Sequence, residues 1–362
     1  MPILATTSAS PCLNDRDTKA VEWAGRLKYA DVIVGRFERN PPLYYEMRIN
    51  RIRTELATNP NQPDLYDDIS VAFDRLGNDK EAINWIRRKA PFLQGDDPKS
   101  EAWYRYHANL GTFLIHDWLH DGAKLEDIKR AEAARNEIRR ALEIKPNAHF
   151  GRERYQQVLM DKVIFKKTQP SEYFAIDLPG SPEETVAGLA GLVALGNAWE
   201  SPDVFSLLAF ELDRQMDYAT AQLSVQRVEE LAKVGKRSVF FPDVSKGSDI
   251  AKKFGPLATV PRTEQNAKEN FDIQRKNAEE WHKNRTDFML AKMRLGKHPD
   301  TDPHFWDGYV ETPRVPYIGL PGKPFWANPT FIPYVLIYFG VGLILVLIAR
   351  AIILGIVSYL RR

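Results

Sequence analysis

His116 and His120 lie four residues apart in HDWLHD, residues 116 to 121, and Asp117 directly follows the first of them. This is one methylene away from H-E-x-x-H, in which a helix holds zinc with two imidazoles and the glutamate serves as general base. The chemistry would be metal-assisted hydrolysis. It would require a third ligand and a carboxylate able to reach the bound water, and aspartate is shorter than glutamate by one methylene. Glu137, Glu143 and His149 are the downstream candidates. The competing reading is structural: the helix ends in polar residues, and Asp117 to Gly122 make a lengthened turn. No other catalytic set is visible, with no glycine-rich phosphate loop, no G-x-S-x-G and no cysteine with a histidine partner. Cys12 is the single cysteine, which rules out an internal disulfide and a thiolate cluster. The expectation is a chain without catalytic residues, metal or other cofactor.

The elements that must position these side chains read as helices. At 362 residues, 44% hydrophobic and 27% charged, the chain is long enough to bury a core. A net charge of +2 gives no field for polyanions, and no basic stripe is interleaved with aromatics, so nucleic acid is set aside as a partner. SPEETVAGLAGLVALG and SPDVFSLLAFELDRQ each open on an N-cap serine, a first-turn proline and an acidic residue. From Thr263 to Gly296 the chain lacks glycine and proline until its end, and Phe271, Ala278, Trp281, Phe288 and Leu295 form one apolar stripe. Gln274, Arg285 and Lys292 interrupt that seam, which favours a long amphipathic helix packed on its own domain over a coiled coil.

Between residues 43 and 165 the small and large residues repeat. Tyr66, Ile69, Ser70, Phe73, Gly77, Ala82 and Ile86 in one unit answer to His107, Leu110, Gly111 and Leu114, then Ala134, Ile138, Ala141 and Pro146, in the next. Ile52, Leu56 and Pro60 precede them as the end of an earlier unit. This pattern resembles the tetratricopeptide repeat, a helix pair of about 34 residues with small residues at the crossing. The second unit departs from it by an insertion of about eleven residues between Leu114 and Ala134.

The resemblance implies recognition of a protein or peptide partner in a groove lined by first helices: Asp67, Val71, Asp74 and Arg75 in one unit, Ala108, Thr112, Ile115 and His116 in the next. Of the residues with which some members clamp a C-terminal carboxylate, Asn109 alone is matched. Acidic Asp67 and Asp74 imply positive charge on the partner, and Asp74, facing an open groove, is expected to tolerate substitution.

The C-terminus carries a different signal. Phe331 to Ala349 is an uncharged apolar run of 19 residues, which as a helix spans about 28 Å, close to a hydrocarbon core of about 30 Å. It is expected to cross a membrane and to hold lipid, with Arg350 snorkelling and Trp326 and Tyr334 at the interface. Before it, residues 299–330 are dense in proline and aromatics and read as a stiff juxtamembrane arm. Arg350, Arg361 and Arg362 against Arg314 and Lys323 place the tail inside and the repeats outside. Residues 1–12 end in TTSASPC, like the small-residue tail of a signal peptide whose start lies upstream. With the opening CLNDRDT and the stretches HANLGTFL and NAHFGRE, the chain resembles exported, membrane-anchored bacterial tetratricopeptide proteins.

The expected architecture is therefore all-α: a tetratricopeptide-like solenoid over 13–165, a helical extension over 166–298 with a loop near 235–262, the arm at 299–330, and a transmembrane helix at 331–360. The expected function is that of a scaffold or adaptor. Two alternatives stand beside it: a tail-anchored adaptor with its domain in the cytosol, and a membrane-bound zinc hydrolase using His116 and His120.

Overall fold

The computed structural model describes residues 13–17, 28–146, 151–169, 176–258 and 261–317. Residues 1–12 and the apolar run, with Trp326, Phe331, Tyr334, Arg350, Arg361 and Arg362, lie outside them. Among the described residues there are twelve α-helices and no strand, and no helix is long and apolar enough to cross a membrane.

The helices, in chain order, are α1 (Tyr29–Val34), α2 (Pro42–Thr58), α3 (Pro63–Arg75), α4 (Asp79–Arg87), α5 (Glu101–His120), α6 (Ile128–Ile144), α7 (Arg152–Thr168), α8 (Pro182–Ala194), α9 (Pro202–Arg214), α10 (Tyr218–Lys233), α11 (Gly247–Phe254) and α12 (Pro261–Met293). Their starts follow the sequence. Ser100 caps α5 and Ser201 caps α9, while Ser181 and Glu184 form a reciprocal capping box on α8. Proline opens α2, α3, α8 and α9, where a missing N–H costs no hydrogen bond.

From α2 to α10 each helix packs on the next, as a row of antiparallel pairs must if each is to bury both its faces. The crossings are set by small residues. A Cβ placed on Gly111 of α5 would come within 2.9 Å of the Ala134 carbonyl and nearer still to Ile138 on α6. Ala141, fully buried, packs against Tyr104 and Ala108 at the same crossing. Gly188 repeats the device between α8 and α7, where a Cβ would meet the Tyr155 ring at 2.1 Å. That pair keeps the close approach although the repeat motif has faded from its sequence.

Two points of the sequence reading need correction. The helix carrying HDWLHD does not stop at His116; α5 continues to His120, and the turn begins at Asp121, with Gly122 and Ala123 in the left-handed region. The arm is also no free spacer. Over residues 307–315 it runs back along α12, whose seam amides hold its carbonyls: Asn284 donates to Val310 O, Asn277 to Pro313 O and Gln274 to Val315 O. Gln274 and its neighbours interrupt the apolar stripe because a chain, not a helix, lies on them.

α12 is the member that closes the array. It packs on α10, α1 and α2, and it contributes Phe271 and Ala278 to the core of the C-terminal helices and Met289 and Met293 to that of α2–α5. Leu295, predicted in its stripe, is exposed. Replacing Ala141 with tryptophan should overpack the α5–α6 crossing and destabilise the protein by roughly 1–3 kcal/mol or more. Arg139→Ala, on the exposed face of the same helix, should stay within about 0.5 kcal/mol. Equal shifts in urea midpoint for the two would remove this packing assignment.

Candidate functional site

The inner face of the row encloses a cleft of about 880 Å³. Its walls are residues 15–17, the 37–40 loop, the ends of α3 and α5, the loop after α8, and Arg285, Met289, Asp300 and Trp306.

Of the predicted groove residues, Asp74 and Arg75 line the cleft and the others lie behind its walls. Asp67, Val71, Asp74, Ala108, Asn109, Thr112, Ile115 and His116 are all buried. What covers part of them is the chain's own N-terminal segment. Asn14 donates its backbone N–H to Asn109 Oδ1 at 2.8 Å, and Asn109 Nδ2 returns a bond to Asn14 O at 3.0 Å. One side-chain amide thus pairs with both backbone polar groups of Asn14, as it could with those of a bound peptide. Arg152 adds a bond to Leu13 O, and Arg16 binds Asp68 through both its backbone N–H and its Nε. Thr112 accepts from Gln156, and Val71 and Ile115 belong to apolar clusters.

The acidic groove charges are consumed inside the molecule. Asp67 meets Lys89 at 2.7 Å and Arg105 at 3.1 Å. Asp74 pairs with His116 and accepts from Asn197 Nδ2 at 3.1 Å. They do not present negative charge to a basic partner, and Asp74 is not an exposed, tolerant position. The physical reason is burial, which forces a carboxylate to find its counter-charge locally.

Arg48 is the centre of the largest such network. Fully buried on α2, it bonds Asp17 at 2.9 Å and Asp300 at 2.6 Å, and Asp15 lies 3.4 Å away. Burial alone would raise the Asp300 carboxyl. The Arg48 hydrogen bonds and charge, with Arg16 and His298 nearby, instead hold it down to about 2. Sequence reading missed this network. Its one signal was a cation four residues from Tyr44 and from Ile52, on the buried face of α2.

At the other end of the cleft the balance is reversed. Arg39 lies over the rings of Phe37 and Trp199, 4.9 and 4.5 Å from their centroids. Its Nη2 donates to Gly35 O, its Nη1 is buried without a hydrogen bond, and no carboxylate is within ion-pair distance among the described residues. Arg227 sits 3.6 Å from the same indole and Arg275 at 5.2 Å. Burial, then Arg275 and Arg227, bring Arg39 down to about 10. Burial and the charges of Arg39, Arg285 and Arg275 likewise depress His282 to about 4. Arg75, the least buried of the predicted groove residues, spends its guanidinium on Leu195 O, Gly196 O and Asn197 rather than on an acid.

HDWLHD lies in the wall between these ends. His116 Nδ1 bonds Asp74, and His120 Nδ1 bonds Asp79 Oδ2 at 2.6 Å, the latter bond raising the His120 pKa above its ordinary value. Asp117 faces away, to Arg130. Of the downstream candidates, Glu137 pairs with His107 and Arg140, Glu143 with Arg139, and His149 lies outside the described residues. The set able to surround a metal ion is Asp74, Asp79 and His116. Asp79, the first residue of α4, was not singled out in the sequence, because nothing local marks a helix-opening aspartate as more than a favourable dipole partner.

Arg48→Met should strip Asp15 and Asp17 of their buried cation, leave Asp300 with Arg51 and Arg16 alone, and cost about 3–5 kcal/mol at pH 7 by urea denaturation. A carboxyl held at about 2 in the fold, against about 3.9 when unfolded, contributes stability that is complete above about pH 4 and lost as the pH falls towards 2. The gap between wild type and Arg48→Met should therefore narrow over that window; a gap constant from pH 7 to pH 3 would detach Asp300 from Arg48. No protein-family model and no characterised protein matches this sequence, so what the cleft does must be read from its own walls.

Proposed function

We propose that the protein is a membrane-anchored adaptor of the tetratricopeptide type, whose cleft receives an extended, acidic segment of a partner protein. The observation that carries this reading is Arg39, a guanidinium in the wall of the cleft with aromatic faces beside it and no acid paired with it among the described residues. Guanidinium is the side chain suited to bidentate capture of a carboxylate, and aromatic packing pre-orients its fork. Trp199, Phe37 and Trp306 supply apolar surface around it for neighbouring side chains of the segment. The hold of Asn109 on Asn14 supports the same reading, since it is the contact by which a helical groove grips an extended backbone. In this reading the partner carries negative charge, and the protein acts by binding, with no reaction assigned to it.

A display library of random peptides selected on the full-length protein should enrich sequences with a carboxylate next to an aromatic or aliphatic residue. Synthetic copies should lose at least tenfold in affinity to Arg39→Ala, about half of that loss in logarithmic terms to Arg39→Lys, and nothing to Arg139→Ala. Enriched peptides without acidic residues, or ones bound equally by Arg39→Ala, would remove this reading of the cleft.

Anchoring rests on the uncharged run 331–349. Deleting residues 331–360 should release the protein from carbonate-washed membranes. Protease added to intact spheroplasts should digest the helical domain and spare a tag after Arg362. A protected domain would reverse the orientation and leave a tail-anchored cytosolic adaptor.

A further inference from the structure

Two histidine–carboxylate pairs meet where the end of α5 crosses the α3–α4 turn. Asp74 stands in the last turn of α3 and Asp79 opens α4. His116 and His120, one turn apart on α5, stack with ring centroids 5.7 Å apart. Asp74 takes His116 Nδ1, and His120 Nδ1 takes Asp79 Oδ2.

Each pair leaves one atom over. His116 Nε2 and Asp79 Oδ1 are both buried and have no hydrogen-bond partner among the described residues. Their side chains are 2% and 7% exposed, so bulk water does not satisfy them. Buried polar atoms left in this way are rare and call for an explanation such as an ion. The pairing also sets their chemistry. A carboxylate on Nδ1 fixes the ring proton there and leaves Nε2 as a lone-pair donor, the arrangement that orients metal-binding imidazoles. His120 does the reciprocal service, occupying one oxygen of Asp79 and leaving the other free.

One ligand atom from each of Asp74, Asp79 and His116 lies within 4.8 Å of the other two. Donors at zinc distances of about 2.0–2.2 Å stand roughly 3.3 Å apart around a tetrahedron, so movements of the order of 1 Å in side chains would close the site. Calcium and magnesium require six or more oxygens or a shell of waters; a buried imidazole beside a carboxylate suits a borderline cation instead. We propose that His116 Nε2 and Asp79 Oδ1 bind a divalent transition-metal ion, zinc fitting best, with water completing its shell; Asp74 and His120 are positioning residues that orient His116 and Asp79.

The ion would tie the α3–α4 turn to the end of α5, beside a cleft whose wall includes Asp74 and His120. It stands independently of what the cleft receives. It also gives HDWLHD its metal without the hydrolytic chemistry, because the aspartate inside the motif, Asp117, turns to Arg130.

Full-length protein, stripped with chelator and passed into metal-free detergent buffer, should take up one zinc per chain on titration with zinc chloride. Cobalt chloride should give the visible bands of a low-coordinate N/O site. Asp79→Asn should weaken zinc by at least tenfold and His120→Gln by about 10–100-fold, while Glu137→Gln, away from the cluster, should leave affinity unchanged. His116→Gln should abolish the cobalt spectrum; if that buried variant does not fold, the wild-type titration and the half-exposed His120 variant decide. A cooperatively folded wild type with no saturable zinc, or zinc affinity unmoved in both Asp79→Asn and His120→Gln, would overturn the site.

Discussion

The inner face of this helical row depends on one constraint: charges buried there must be neutralised there. Arg48 cannot lie fully buried among α2, α3 and the N-terminal segment unless carboxylates come to it, and they come from two distant parts of the chain, Asp15 and Asp17 on one side and Asp300 on the other. The pairing therefore fixes more than a contact. It draws residues 13–17 into the concave face and holds the start of the arm against α2. Asp67 with Lys89 and Arg105 extends the same rule to the next helices. An apolar core would have held the helices together as well; what the charges add is the position of two segments that no helix pair would specify.

That is also why the fold was readable and the site only partly so. Caps, first-turn prolines and small residues at crossings are local signals, and each acts within its own helix pair. Ser181 with Glu184, Gly111 against Ile138 and Ala141 against Tyr104 are all where the sequence puts them. The burial of Asp67 and Asp74 was not legible, because it is caused by partners 22 to 123 positions away. The expected repeat register puts them on an open groove face; nothing in it says that the chain itself buries them. The length of α5 failed for a different reason. Its last turn is held by side chains of α3 and α4, Asp74 and Asp79, and a helix end secured by another helix has no signature in its own residues.

The same accounting separates the two ends of the cleft. Where Arg48, Arg16, Asp15, Asp17 and Asp300 meet, opposite charges are matched within the chain. Around Trp199 they are not. Arg227 and Arg275 share Glu230, Arg285 takes Glu38, and Arg39 takes no carboxylate among the described residues. Burial, then cations held in this way, depress a neighbouring imidazole, as at His282, and such a cation costs the folded state free energy that a ligand can return. Natural proteins keep a cost of that kind chiefly where something binds.

The cleft wall thus holds two kinds of incomplete polar group, and they call for opposite ligands. At Arg39 a donor lacks an acceptor, so an anion completes it. At His116 Nε2 and Asp79 Oδ1 the free atoms are lone pairs, so a cation or a hydrogen-bond donor completes them, and each group already has a partner on its other polar atom. Because Asn197 links Asp74, the partner of His116, to the loop that carries Trp199, the two sites share a wall, and a cation settled between His116 and Asp79 would add positive charge to the face on which an acidic segment is read.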